Sequence, residues 1–230
     1  MKTLYSTFLA ALILAGGLVS CKELNDSYED YVIPGGIIYP GKIKSPELLP
    51  GRNRVLITWP QSLDPSVSKA RIFWNTYSDS LEVAISPSDK IVSVIIDNLP
   101  EKSYAFTIKT YDEEGNASVP VELIGKTFGD LYQESLSNRR IDDSDFEAPA
   151  HLTILWAGAD IANYAYATEI KYTDTLGKIQ VDRFSVTVDT SRLSDIQAGT
   201  NYQYRTIYIP ESISIDTFYT EYTTIEVVAP

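Results

Sequence analysis

A single cysteine and a single histidine bound the chemistry open to this chain of 230 residues. His151 stands at the entrance to the alternating run Leu152 to Trp156. It has no second imidazole or thiol with which to complete a zinc set, and no partners signalling a Ser-His-Asp constellation. A surface or edge position is its expected role. Gly125-Lys126-Thr127 has the ending of a phosphate-binding loop, but the glycine required five residues earlier is Pro120, and no helix pattern follows. Asp142, Asp143, Asp145 and Glu147 could gather carboxylates for a weak calcium site at a domain junction. Without the loop glycine and spaced ligands of an EF-hand, they read as a solvated acidic linker. The 31 acids include no pair that stands out for glycoside hydrolysis, which needs a pocket to drive carboxyl pKa values apart. No metal, cofactor or catalytic residue is expected.

Cys21 is the residue with a defined chemical destiny. Lys2 supplies a short positive start, Leu4 to Val19 is mostly apolar, and Leu18-Val19-Ser20 places small residues before the thiol. This pattern predicts a lipoprotein signal peptide over 1–20, cleaved so that Cys21 takes the lipid. The apolar stretch is shorter than the ~20 residues that span a bilayer and contains Gly16-Gly17, which argues against a transmembrane anchor. With its only cysteine consumed, the chain has no disulfides, and its domains rest on hydrophobic cores alone. Residues 21–39 read as a lipidated tether, polar and acidic at first and then broken by Pro34-Gly35-Gly36 and Pro40-Gly41. The expected address is the cell envelope, as an outer-membrane lipoprotein. A formal net charge of −12 disfavours nucleic acid as a partner and leaves the membrane to be reached through the lipid.

The elements that would position any site are strands. Val, Ile, Thr and Tyr recur in alternating runs bounded by turn residues, which predicts an all-β chain. Val55 to Trp59 with Tyr104, and Leu152 to Trp156 with Tyr202, set out one pattern twice. The Trp-to-Tyr separations are 45 (104 − 59) and 46 (202 − 156) residues. Such a repeat predicts two tandem immunoglobulin-like β-sandwiches, at 40–128 and 144–230, joined by a connector at 129–143. Leu131, Tyr132, Ser135 and Leu136 in the connector fit one or two helical turns, which suits a packed joint.

Aromatic residues are the remaining candidates for binding. Trp59, Tyr104, Trp156 and Tyr202 are expected to be structural. Trp74, Tyr77, Tyr164, Tyr166, Tyr219 and Tyr222 are less constrained, and Trp74, Tyr77, Tyr164 and Tyr166 are the candidates for stacking against a ligand. Cross-strand aromatic pairing is the structural alternative for each. Asp79-Ser80-Leu81 and Asp174-Thr175-Leu176 occupy corresponding places in the two repeats, and Ser80 and Thr175 are candidate O-glycosylation sites. Turn propensity explains the same residues.

The strand ending in Trp59 and the corner Leu99-Pro100-Glu101-Lys102-Ser103-Tyr104 resemble fibronectin type III domains. That resemblance implies a Trp packed between sheets and a Tyr hydroxyl bonded back to the corner backbone. The corner at Tyr104 is one residue shorter than the usual pattern, whereas Ile196 to Tyr202 has the full spacing. Tyr39-Pro40-Gly41-Lys42, Pro50-Gly51-Arg52-Asn53-Arg54, Tyr111 to Asn116 and Gly129-Asp130-Leu131-Tyr132 further resemble a family of Bacteroidota surface lipoproteins known as domain of unknown function 4998. Lys22-Glu23 after Cys21 is similar to the export signal of such surface lipoproteins.

Together these features predict a non-enzymatic, lipid-anchored envelope protein acting as an accessory binding or display module. A glycan or an outer-membrane protein is the expected partner. A structural spacer or adhesin stalk without a ligand is the alternative, and a hydrolase ranks third.

Overall fold

Along most of the chain each run of alternating apolar and polar residues becomes a strand with its apolar side inward, as the two-residue period of a strand requires. The computed structural model describes residues 36, 39–86 and 88–226. The expected signal segment, Cys21 and nearly all of the tether lie outside those residues. The first sandwich has seven strands: β1 (Glu47–Gly51), β2 (Arg54–Pro60), β3 (Lys69–Trp74), β4 (Asp79–Ala84), β5 (Ile91–Ile96), β6 (Ser103–Tyr111) and β7 (Val121–Lys126). They form two antiparallel sheets ordered β1-β2-β5 and β4-β3-β6-β7. Val55, Ile57 and Trp59 from one sheet and Ala70, Ile72, Phe106 and Ile108 from the other fill the interior.

The second sandwich repeats this plan. Its strands are β8 (Ile141–Glu147), β9 (His151–Trp156), β10 (Ala165–Thr173), β11 (Ile179–Ser185), β12 (Thr190–Leu193), β13 (Tyr202–Tyr208), β14 (Phe218–Tyr219) and β15 (Thr223–Ile225). One sheet is ordered β12-β9-β8; the other is β11-β10-β13-β14, with β15 also paired to β13. Leu152, Ile154, Trp156, Ile170, Leu193 and Tyr202 form its core. In each sandwich the buried Trp stands at or one residue before the end of the central strand of the three-stranded sheet, and the buried Tyr at or one residue after the start of a central strand of the other. The repeat seen in the sequence is therefore a repeat of architecture.

Two expectations need correction. The acidic stretch Asp142 to Asp145 is not a linker: it is the middle of β8, paired antiparallel with β9. That strand starts at Ile141, within the span assigned to the connector. Only Phe146 on it is buried, and Asp142, Asp143, Asp145 and Glu147 face solvent. Charges along an edge discourage pairing with other chains, and they also hide the alternation that reveals a strand.

The second correction concerns the tyrosine corners. The shorter corner is the one that closes, with the Tyr104 hydroxyl donating to the Pro100 carbonyl at 2.9 Å. Tyr202, in the corner of usual length, is wholly buried and its hydroxyl has no hydrogen-bond partner of good geometry. The Gln197 carbonyl in that corner is taken by Thr200, whose hydroxyl donates to it at 2.7 Å. Burial pushes the Tyr202 phenol up to about 12, partly countered by the neighbouring Ser144.

Substituting the two tyrosines should separate their roles. Tyr104→Phe removes a made hydrogen bond and should cost about 1 kcal/mol in urea unfolding at unchanged slope. Tyr202→Phe removes an unpaired hydroxyl and should change stability by less than about 0.5 kcal/mol, or raise it. Equal losses in the two variants would contradict this assignment.

Candidate functional site

The chain between the sandwiches is woven into both. Phe128 exchanges backbone hydrogen bonds with the first turn, donating to the Gly51 carbonyl at 3.1 Å and accepting from the Asn53 N–H at 2.7 Å. Helix α1 (Asp130–Glu134) follows. Its free N–H groups at Leu131 and Tyr132 each donate to the Glu101 carboxylate at 2.9 Å, so a side chain from the Tyr104 corner caps the connector. Asn138 then enters the second sandwich. Its amide donates to the Glu221 carbonyl and the Thr223 hydroxyl, both at 2.8 Å, and its Oδ1 accepts from the Thr206 N–H at 2.8 Å.

A return contact closes the joint. The segment between β13 and β14 reaches back to β1, where the Ile215 N–H donates to the Pro50 carbonyl at 2.8 Å. Asp216 accepts from Arg54 Nε and Nη2 at 2.8 and 2.6 Å and from the Arg52 N–H at 2.8 Å. Gly51 is required here: a Cβ would stand 2.7 Å from Ile215 Cγ1 and closer still to Asp216. Inside this ring of polar bonds lies an aromatic cluster. Phe128, Tyr208 and Phe218 are buried together, with Tyr132 packed against them and its ring 5.0 Å from those of both Phe128 and Phe218. Burial raises the Tyr132 phenol to about 12.

Two surface features flank the joint. A groove of about 570 Å³ runs between α1 and the last strands, lined by Asp130, Gln133, Glu134, Tyr219, Glu221 and Thr223 among others. Beside it, on the outer face of the sheet containing β10, Glu169 is enclosed, its side chain 2% exposed. It accepts from Arg183 Nε at 2.7 Å, Arg205 Nε at 2.7 Å and the Tyr222 hydroxyl at 2.6 Å. The Arg205 guanidinium lies between two rings, 4.1 Å from Tyr219 and 4.6 Å from Tyr222. Burial by itself would raise the Glu169 carboxyl, but the hydrogen bonds from Tyr222, Arg183 and Arg205 outweigh it and hold the group below its ordinary value. The Arg54 hydrogen bonds hold Asp216 down in the same way, against the opposing effect of burial.

The four candidate stacking residues do not come together. Trp74 is half-buried against the first core, 6.3 Å from Phe106. Tyr77, 52% exposed, occupies the β3–β4 turn with its ring 4.9 Å from Phe73. Tyr164 and Tyr166, 50% and 59% exposed, belong to the second sandwich at the start of β10. Ser80 lies in β4 and accepts from Arg71 Nη2 at 2.8 Å; Thr175 sits in the β10–β11 turn with its hydroxyl on Asp195. The aromatic pair gathered around one cation, Tyr219 and Tyr222, was not singled out for stacking, because its partners Arg205 and Glu169 are distant in sequence.

A three-stranded sheet packed on one of four strands in the first sandwich and of five in the second, with a Trp between the layers each time, defines a tandem of fibronectin type III-like sandwiches. A family model described as a domain of unknown function, DUF4998, matches residues 21–218, and the chain belongs to that family. Among solved structures it is similar to the FN1–FN3 domains of chicken CNTN1, at 12% identity over 84% of this chain and 68% of that chain, with a TM-score of 0.47. It is also similar to a segment of two fibronectin type III domains from chicken tenascin, at 12% identity over 82% and 100% of the two chains and a TM-score of 0.33. No curated protein matches the chain.

The depressed carboxyls make an acid prediction. A carboxylate whose folded pKa lies below its unfolded value contributes stability that is present above the unfolded range near pH 4, by the reference values ~3.9 for Asp and ~4.3 for Glu. That contribution is lost as pH falls through the folded value. The melting temperature should therefore drop below about pH 4, and Asp216→Asn and Glu169→Gln should each lower it at pH 7 while flattening the acid limb. An acid limb unchanged in both variants would remove these groups from the account.

Proposed function

We propose that this chain is a non-enzymatic envelope protein, anchored through a lipid on Cys21, whose two locked sandwiches form an accessory binding and display module. The joint carries this reading. A capped connector, a bidentate Arg54–Asp216 pair and a shared aromatic cluster hold the sandwiches as one unit, so that a surface on the second is presented at a fixed attitude to the first. The groove beside the joint combines the Tyr219 ring with amide and carboxylate acceptors, chemistry that suits a neutral saccharide. An outer-membrane protein is the other partner class that such a display would serve.

The dispersal of Tyr77, Tyr164 and Tyr166 over two sandwiches favours a second reading, a spacer with no ligand. A glycan array probed with the full chain discriminates the two. Capture predicts a reproducible saccharide hit, weakened about tenfold or more by Gln133→Ala or Tyr219→Ala, the equivalent of ~1.4 kcal/mol. Silence across the array, or a hit indifferent to both substitutions, would leave the spacer reading standing. The anchor has its own test: Cys21→Ala should move the chain from the detergent phase to the aqueous phase, and continued partitioning into detergent would refute lipidation.

A further inference from the structure

The sheets of both sandwiches are open, and each outer strand exposes backbone donors and acceptors that invite another strand. Most edges are guarded by charge. Glu47 stands on β1, Asp79 and Glu82 on β4, and Glu122 and Lys126 on β7. Four acids lie on β8, Asp182 and Arg183 on β11, and Arg192 on β12. β5, Ile91-Val92-Ser93-Val94-Ile95-Ile96, is the edge strand of four or more described residues that carries no charge, and it contains no Pro or Gly.

Its register shows which groups are free. The Gln61 N–H donates to the Lys90 carbonyl in the same pairing that sets Trp59 opposite Val92 and Ile57 opposite Val94. In an antiparallel ladder the bonded residues alternate. Val92, Val94 and Ile96 therefore bond to β2, while the N–H and C=O groups of Ile91, Ser93 and Ile95 point to the open edge. The same three side chains face solvent, with Ile91 64% and Ile95 47% exposed. Leu49, Leu56 and Ile95 lie opposite one another across the three strands, so an apolar row runs across the outer face up to this edge.

We propose that β5 is a dimerisation edge, pairing antiparallel with β5 of a second copy of this chain. The strand is self-complementary about Ser93. A two-fold axis there sets Ser93 opposite Ser93 and Ile91 opposite Ile95, polar against polar and apolar against apolar. The apolar row then continues from Ile95 of one copy to Ile91 of the other, within one six-stranded sheet. Charge limits where two copies can meet. A chain of net charge −12 repels its own copies, and the uncharged edge is where two of them meet with least repulsion.

The test is sedimentation equilibrium of the full chain in density-matched detergent, with melting measured in parallel. The wild type should show a reversible monomer–dimer equilibrium. Ser93→Pro removes an N–H that serves only the open edge, and Ser93→Lys places like charges opposite each other. Each should shift the equilibrium about tenfold or more toward monomer while leaving the melting temperature nearly unchanged. Glu82→Gln, on the guarded β4 edge, should leave it alone. A wild type that is monomeric at every concentration, or a dimer indifferent to both Ser93 variants, overturns the proposal. So does a monomer that takes up an extended foreign peptide along β5, which would assign the edge to a different strand.

Discussion

The contact on which the rest of the molecule depends is a single carboxylate. Asp216 receives both arms of Arg54 and the N–H of Arg52, and so fastens a segment near the end of the second sandwich to the first strands of the first. Charge-assisted, bidentate bonds of this kind fix orientation as well as distance. Its side chain is only 20% exposed, which protects the pair from the screening that weakens surface ion pairs. The same turn sets the Arg52 guanidinium 4.5 Å from the Phe218 ring, at the rim of the aromatic cluster between the sandwiches. The polar ring and the apolar centre stabilise each other.

That arrangement explains why the connector does not behave as a linker. A loose linker would leave its backbone groups to water, whereas here Glu101 caps the Leu131 and Tyr132 N–H groups, the Tyr208 hydroxyl donates to the Ser137 carbonyl, and the Arg139 N–H donates to the Thr206 hydroxyl. Glu101 lies outside the helix that it secures. The groove beside α1 lies next to this packing, lined by residues of the helix and of the short strands β14 and β15. A binding surface built this way inherits the rigidity of the joint.

Electrostatics in this acidic chain follows the same division between buried pairs and exposed edges. Glu169 is tolerated in an enclosed position because three donors reach it and one of them, Arg205, is itself held between two rings. Asp112 and Asp174 are also buried, but many of the other acids remain at the surface, several of them on edge strands, where they discourage association. The neutrality of β5 is conspicuous against that background.

The sequence by itself determined the module and its duplication. Trp59, Tyr104, Trp156 and Tyr202 lie at matching intervals, and strand periodicity is a local property that any stretch of chain displays without help from the rest. It determined family membership for the same reason, since runs such as Pro50 to Arg54 are contiguous. β8 was not legible, because an edge strand with one buried residue has almost no period to show. The fate of each corner hydroxyl escaped as well, because it turned on which groups the finished fold brought within reach of each tyrosine. The joint lay further out of reach: Arg54 and Asp216 are 162 residues apart, and no local rule couples them. The structure decided which aromatics share a surface, gathering Tyr219 and Tyr222 around Arg205 and leaving Tyr77 apart from Tyr164 and Tyr166. Such groupings depend on how two finished sandwiches and their sheets meet, which is settled by packing between elements and not by the pattern within any one of them.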